Sequence, residues 1–166
     1  LKKKQKKNYI LPLAAVLCVL SLAVMVFALT RQNTQTVMGE FTPPPFDSSA
    51  VVGSPTVPDG LGWKELDAQA YMVGICGKFI PKGNAADVWL TNPESNTVWL
   101  KVRVLDEKGN TLGETGIIKP GEYVQSVELD NVPKAGKPIV LKIMAYQPDT
   151  YYSEGAVSLN TTISEE

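Results

Sequence analysis

From Leu100 to Leu129 the chain reads LKVRVLDEKGNTLGETGIIKPGEYVQSVEL, and no other stretch constrains the fold as tightly. Leu100, Val102 and Val104 alternate with Lys101 and Arg103, the period of two required of a strand with one buried face. Residues 106–110 contain the Gly and Asn that tolerate positive φ, which predicts a hairpin. Pro120-Gly121 supplies the fixed φ and the left-handed position of a type II turn. Strand, turn, strand, Pro-Gly turn and strand follow with almost nothing left over, which predicts a β-meander.

The rest of the chain beyond about residue 70 reads as strands added to it. Apolar runs bounded by turn residues fall at 71–76, 87–91, 97–105, 111–118, 123–129, 139–146 and 156–163, and no helical period is long enough to compete. Residues 62–67 lead into the first strand, 92–96 form a turn by composition, and 132–138, with two prolines and a glycine, form a loop between sheets. An all-β fold follows: a two-sheet antiparallel, Ig-like β-sandwich of about seven strands over residues 63–166. Its inward positions are Val88, Leu90, Val98, Leu100, Val102, Val104, Val127, Leu129, Ile139, Leu141, Ile143, Val157, Leu159 and Ile163. Between Val124 and Val127 the apolar phase slips by one, which predicts a bulge.

The N-terminal part has a different job. The 21 residues from Tyr9 to Leu29 carry no charge, and a helix of roughly 20 residues crosses about 30 Å of hydrocarbon. Residues 1–8 form a basic tail whose lysines, all on the N-terminal side, predict a cytoplasmic N-terminus and an exported C-terminal part. A cleaved signal peptide has the same basic-then-apolar order, but the apolar stretch exceeds the roughly 7–15 residues usual for signals, which favours an uncleaved anchor over 9–29. Residues 30–62 lose all periodicity and gather five prolines (Pro43, Pro44, Pro45, Pro55 and Pro58), the composition of a Pro-rich, disordered stalk. The aromatics Phe41 and Phe46 flank its triple proline, where a proline-recognition groove would read them.

Charge and residue inventory exclude several functions. The formal net charge is -1, and five of the 16 basic residues are Lys2, Lys3, Lys4, Lys6 and Lys7, so 11 basic and 17 acidic residues remain for the rest. A mildly acidic body offers no basic face to nucleic acid. With no histidine in the chain, Ser/His and Cys/His catalysis cannot be built. The acids are dispersed over turns and outward strand positions rather than paired, and no phosphate loop, calcium loop or metal-ligand spacing occurs, so we expect no catalytic activity, no cofactor and no metal. Cys18 lies in the apolar run and Cys76 in a strand, so no disulfide joins them, and Cys76 reads as a small buried hydrophobe.

The string TNPESNTVWLKVRVLDEKGNTLGETGIIKPGEYVQSVEL resembles the theme of small bacterial Ig-like or fibronectin-III-like surface domains: an Asn-Pro turn, an alternating strand, an Asp-x-x-Gly hairpin, an Ile-x-Pro-Gly turn and a Val-x-Leu strand. The resemblance covers roughly residues 65–164. With the lysine-rich start, the chain as a whole resembles small membrane-anchored, single-pass envelope proteins of Gram-positive bacteria, some of them carried on conjugative elements. That resemblance implies a cell-membrane protein with an extracytoplasmic domain and brings no set of catalytic residues.

Candidate binding residues come from the outward positions. If Val88, Leu90, Val98 and Leu100 face inward, Trp89 and Trp99 point outward from adjacent strands beside Lys101 and Arg103. Tyr151 and Tyr152 sit on the loop between the last two strands, where sandwich domains mount recognition residues. Two functions fit. One is an interaction or scaffold domain that holds a protein partner in an envelope assembly. The alternative is a surface carbohydrate-binding module that stacks cell-wall glycan on a flat tryptophan platform.

Overall fold

The structure, a computed structural model, describes residues 41–165 and, nearer the N-terminus, Cys18, Leu20, Ser21, Leu22, Val24 and Met25. Those six positions are helical, and Ser21 Oγ donates to the Cys18 carbonyl at 2.8 Å. Among the described residues no helix is long and apolar enough to cross a membrane; the rest of the expected anchor over 9–29, the basic tail 1–8 and residues 30–40 lie outside the described residues. The chain divides into two units, Leu1–Thr42 and Pro43–Glu166.

The second unit consists of ten strands: β1 Val51–Val52, β2 Trp63–Asp67, β3 Met72–Cys76, β4 Pro81–Lys82, β5 Ala85–Asn92, β6 Trp99–Leu105, β7 Thr111–Glu114, β8 Glu122–Glu128, β9 Pro138–Tyr146 and β10 Ser153–Thr162. They form two antiparallel sheets. One has the order β1-β8-β5-β3-β2, with β4 paired to the start of β5; the other has the order β10-β9-β6-β7. All seven expected strands are present. The short β1 and β4 are added, and the lead-in at 62–67 is itself the edge strand β2.

Alternation places the core where the sequence predicts it. Val73 and Ile75 of β3, Val88 and Leu90 of β5 and Val124 and Val127 of β8 are buried with Leu100, Val102 and Val104 of β6 and Ile139, Leu141 and Ile143 of β9. Each fully buried aliphatic side chain contributes about 1.5–3 kcal/mol. Val157 and Leu159 of β10, expected inside, are half-buried at the rim.

The meander does not survive as one sheet. β6 and β7 pair through the 106–110 turn, where Gly109 has φ +82° and the Asp106 carboxylate accepts from the Lys108 and Asn110 amides at 2.8 Å each. The Pro-Gly turn forms as expected, with Gly121 at φ +80° and the Glu122 amide bonded to the Lys119 carbonyl at 3.1 Å. It delivers β8 to the opposite sheet, however, to pair with β5. An alternating strand announces which of its faces is buried, and both sheets offer the same choice, so the pattern cannot name the partner.

The Pro-rich stalk is also shorter than its composition implies. Phe46 forms a parallel bridge with Ile117, the Asp47 amide donates to the Ile117 carbonyl at 2.9 Å, and the Ile117 amide donates to the Pro45 carbonyl at 2.9 Å. The Asp47 carboxylate accepts from the Gly116 amide at 2.7 Å, and a side chain at Gly116 would collide with the Asp47 and Phe46 backbone. Val51 and Val52 then pair with Tyr123 and Glu122. Residues 45–53 therefore belong to the sandwich.

The expected bulge is present, but on the partner strand. Between the pairs Asp87–Ser126 and Leu90–Val124, β5 has two residues, Val88 and Trp89, against Gln125 of β8. Trp89 takes φ +45°, an uncommon conformation for a bulky side chain.

Candidate interaction face

On the outer face of the four-stranded sheet, β6 presents Trp99, Lys101 and Arg103. Across the ladder from them stand Tyr146, Met144 and Lys142 of β9, and Glu114 of β7 stands opposite Arg103. Alternation alone puts these side chains together, because their neighbours Leu100, Val102 and Val104 are fully buried on the other side.

Trp99 is the centre of an aromatic row. The Phe46 ring meets it edge-on, with centroids 4.9 Å apart and planes at 74°; Tyr151 meets it from another side at 5.3 Å and 69°. Lys119 Nζ lies over the Phe46 ring, 4.6 Å from its centroid. Tyr151 reaches this position because the loop after β9 is tight. The Gln147 amide bonds the Tyr152 carbonyl at 2.8 Å, the Tyr151 amide bonds the Gln147 carbonyl at 3.0 Å, and Asp149 and Tyr151 take φ of +65° and +58°. Tyr152 is left 72% exposed.

Beside the row lies an ion cluster. Lys101 is outward but only 4% exposed, with Nζ 2.6 Å from Glu114 Oε1, and Arg103 Nε is 2.8 Å from Glu114 Oε2. Burial raises the Glu114 carboxyl, but hydrogen bonds and charge from Lys101 and Arg103 outweigh it and hold the group below the ordinary range. Burial also pushes the Tyr146 hydroxyl up, opposed by Arg103 and reinforced by Glu114. Tyr146 Oη sits 3.6 Å from Met144 Sδ. A cleft of about 390 Å³, lined in part by Phe46, Asp47, Ser49, Glu114 and Glu128, opens next to this group.

Of the six residues singled out by sequence, Trp99, Lys101, Arg103 and Tyr151 come together here, and Tyr152 follows Tyr151 on the same loop. Trp89 does not join them. It lies on β5 in the other sheet, is 8% exposed, and stacks on Tyr123 with centroids 5.9 Å apart and planes at 22°. The assumption that β5 and β6 are neighbours fails because residues 92–98 cross between the sheets. The Trp89 carbonyl accepts from Trp63 Nε1 at 3.2 Å and from Thr91 Oγ1 at 3.1 Å, and the Trp63 indole covers Gly74. The flat platform of two tryptophans is absent.

Sequence reasoning named Phe46 only as a flank of the triple proline and missed its packing on Trp99, and it missed Glu114, taken for one dispersed acid among several. It also missed Asn92. This buried amide donates to the carbonyls of Val98 at 2.9 Å and Ile118 at 3.2 Å and accepts from Asn96, which in turn clasps Met72 by both backbone groups. An Asn before Pro reads as a turn residue, and nothing local reveals that it ties both sheets together.

Among the described residues no group of three or more acids or cysteines is arranged to hold a metal. Cys76 is buried, its thiol pushed up to about 12 by desolvation and by the charge of Asp87. Compared with protein-family models and with curated proteins, the chain matches none.

Proposed function

We propose that this protein is a non-catalytic interaction domain of a bacterial cell envelope. The segment 9–29 holds it in the membrane, and its Ig-like sandwich faces outward to dock a protein partner. The observation that carries this reading is the make-up of the outer face of β6 and β9: Trp99, Phe46, Tyr151, Tyr146, Met144 and Arg103 are contiguous and partly exposed. Aromatics, Met and Arg are the types enriched where protein interfaces gain most of their energy. The rings meet edge to face, so they offer a partner ridges and pockets rather than the flat, open plane on which a sugar ring stacks. The basic-then-apolar N-terminus supplies the anchor in this reading.

The test uses the full chain in its native membrane with a photoreactive residue in place of Tyr152. We expect one predominant cross-linked protein, lost when Trp99→Ala is added. Failure to cross-link, together with a tryptophan fluorescence shift on adding cell-wall polysaccharide, would replace this reading with the glycan-binding one.

A further inference from the structure

The outer face of the four-stranded sheet is unbalanced in charge. Among the outward positions that pair across β6, β9 and β10, with Glu114 of β7 beside them, stand three cations, Lys101, Arg103 and Lys142, and one acid. Beyond the basic tail the chain has more acids than bases, so the sign of this face runs against the composition of the rest.

Glu114 serves two of the three cations, with Lys101 Nζ at 2.6 Å and Arg103 Nε at 2.8 Å from its two oxygens. Lys142 is left out. It stands directly opposite Arg103 on one side and Ser158 on the other, and its own strand offers Val140 and Met144 on the same face. Among the described residues no acid forms an ion pair with it. Like charges directly opposite each other on an antiparallel ladder destabilise the pairing, and here a half-buried lysine faces an arginine. The aromatic row continues along the same two strands. Trp99 precedes Arg103 on β6 and Tyr146 follows Lys142 on β9, each by four residues, which is about 13 Å at the rise of a strand.

We propose that the partner of this face is an acidic protein segment, with a carboxylate between Arg103 and Lys142 and an apolar side chain against Trp99 and Tyr146. This rests on the docking reading above and adds the chemistry of the partner. Charge complementarity selects the sign: a carboxylate relieves a repulsion that the chain leaves standing, whereas a basic partner adds to it. The neighbouring row selects a protein. A phosphate polymer or a lipid headgroup meets the cations and leaves Met144, Tyr146 and Trp99 uncovered, while one extended peptide carries both kinds of side chain. Lys142 therefore favours binding and opposes folding, and a single substitution separates the two.

The test uses the full chain in its native membrane with a photoreactive residue in place of Ser158, which is exposed beside Lys142. Lys142→Glu should cut the yield of cross-linked protein ~10-fold or more and Lys142→Arg should keep it, because a reversed charge at the contact repels the partner. Raising salt from about 0.05 M to about 0.5 M should lower the yield. Lys82→Glu on β4 of the other sheet makes the same change in net charge and should leave the yield unaltered. Replacing the acid found in the captured peptide by Lys should restore capture by the Lys142→Glu chain. That chain should melt at the wild-type temperature or above it, since Arg103 then faces an opposite charge; a lower midpoint would show that the wild-type pair is not repulsive and overturn the proposal. Yields indifferent to Lys142→Glu, or lowered as much by Lys82→Glu, with capture from position 152 intact, would overturn the acidic partner and leave the docking reading standing. Loss of capture from both positions would overturn both, and capture of a lipid, an anionic wall polymer or a second copy of this chain would overturn the acidic segment.

Discussion

Lys101 illustrates what a residue's phase does and does not reveal. Alternation with Leu100 and Val102 correctly puts it on the outer face, yet it is nearly as inaccessible as they are, because Glu114 is bonded to its ammonium and Met144 stands across the ladder. The pair has a consequence for stability. A carboxyl whose folded pKa lies below its unfolded value stabilises the fold above the unfolded value and loses that contribution as pH falls through the folded one. Glu114, ordinarily near 4.5 and held lower here, should therefore add stability at neutral pH that fades under acid. Glu114→Gln should lower unfolding free energy at pH 7 by about 1.5–3 kcal/mol, the range for hydrogen bonds to charged groups, and should flatten the acid limb of the stability profile. Parallel profiles for the two proteins below pH 5 would remove Glu114 from this role. Asn92 makes a second case: Asn92→Ala takes the side-chain donor from the buried Val98 carbonyl and the acceptor from the Asn96 amide, while the Ile118 carbonyl keeps the Leu100 amide at 3.0 Å, and should cost about 2 kcal/mol or more in urea unfolding, against under ~1 for an exposed turn residue such as Ser95.

At the scale of elements, the sequence was legible wherever a strand has one apolar face and a turn has its own chemistry. All seven expected strands and the Asp106 and Pro120 turns were readable for that reason. Pairing was not. The destination of β8 depends on Gly113, which lets the Glu128 carbonyl come against its Cα where a side chain would block it, and on the Asp130 amide bonding the Leu112 carbonyl at 2.8 Å. Residues 45–53 escaped because prolines and serines without periodicity describe a spacer as well as a strap docked through backbone bonds. That strap is testable. A chain beginning at Pro43 should unfold at higher denaturant than one beginning at Leu61, by about 2 kcal/mol or more, since the longer chain covers Trp99 with Phe46 and bridges Ile117. Equal midpoints would make 45–53 a passive linker. The same contacts explain why half of the candidate site was readable: Trp99, Arg103 and Tyr151 announce themselves by type and phase, whereas Phe46 joins them from more than fifty residues away.

For the whole molecule, stability rests on a core shared by two sheets, with no disulfide among the described residues. Cys76 gives a direct view of that core. It lies on β3, which is flanked by β2 and β5, is 1% exposed, and has a thiol pushed up to about 12 by burial first and Asp87 second. A thiol must be both reachable and ionised to react, and at pH 8 a pKa near 12 leaves only about one in ten thousand as thiolate. Labelling therefore requires an opening that removes both obstacles together. Separating β3 from β5 breaks the middle of a sheet, so local fraying does not suffice and the opening is global. In the full chain carrying Cys18→Ser, maleimide labelling of Cys76 should be slow in native buffer. It should accelerate with urea along the same dependence as unfolding followed by tryptophan fluorescence, because Trp63 and Trp89 lie on β2 and β5, the strands on either side of β3. Labelling within minutes at zero denaturant, with a rate indifferent to urea, would mean that β2 lifts away independently, and the six-stranded sheet would then be two cooperative units rather than one.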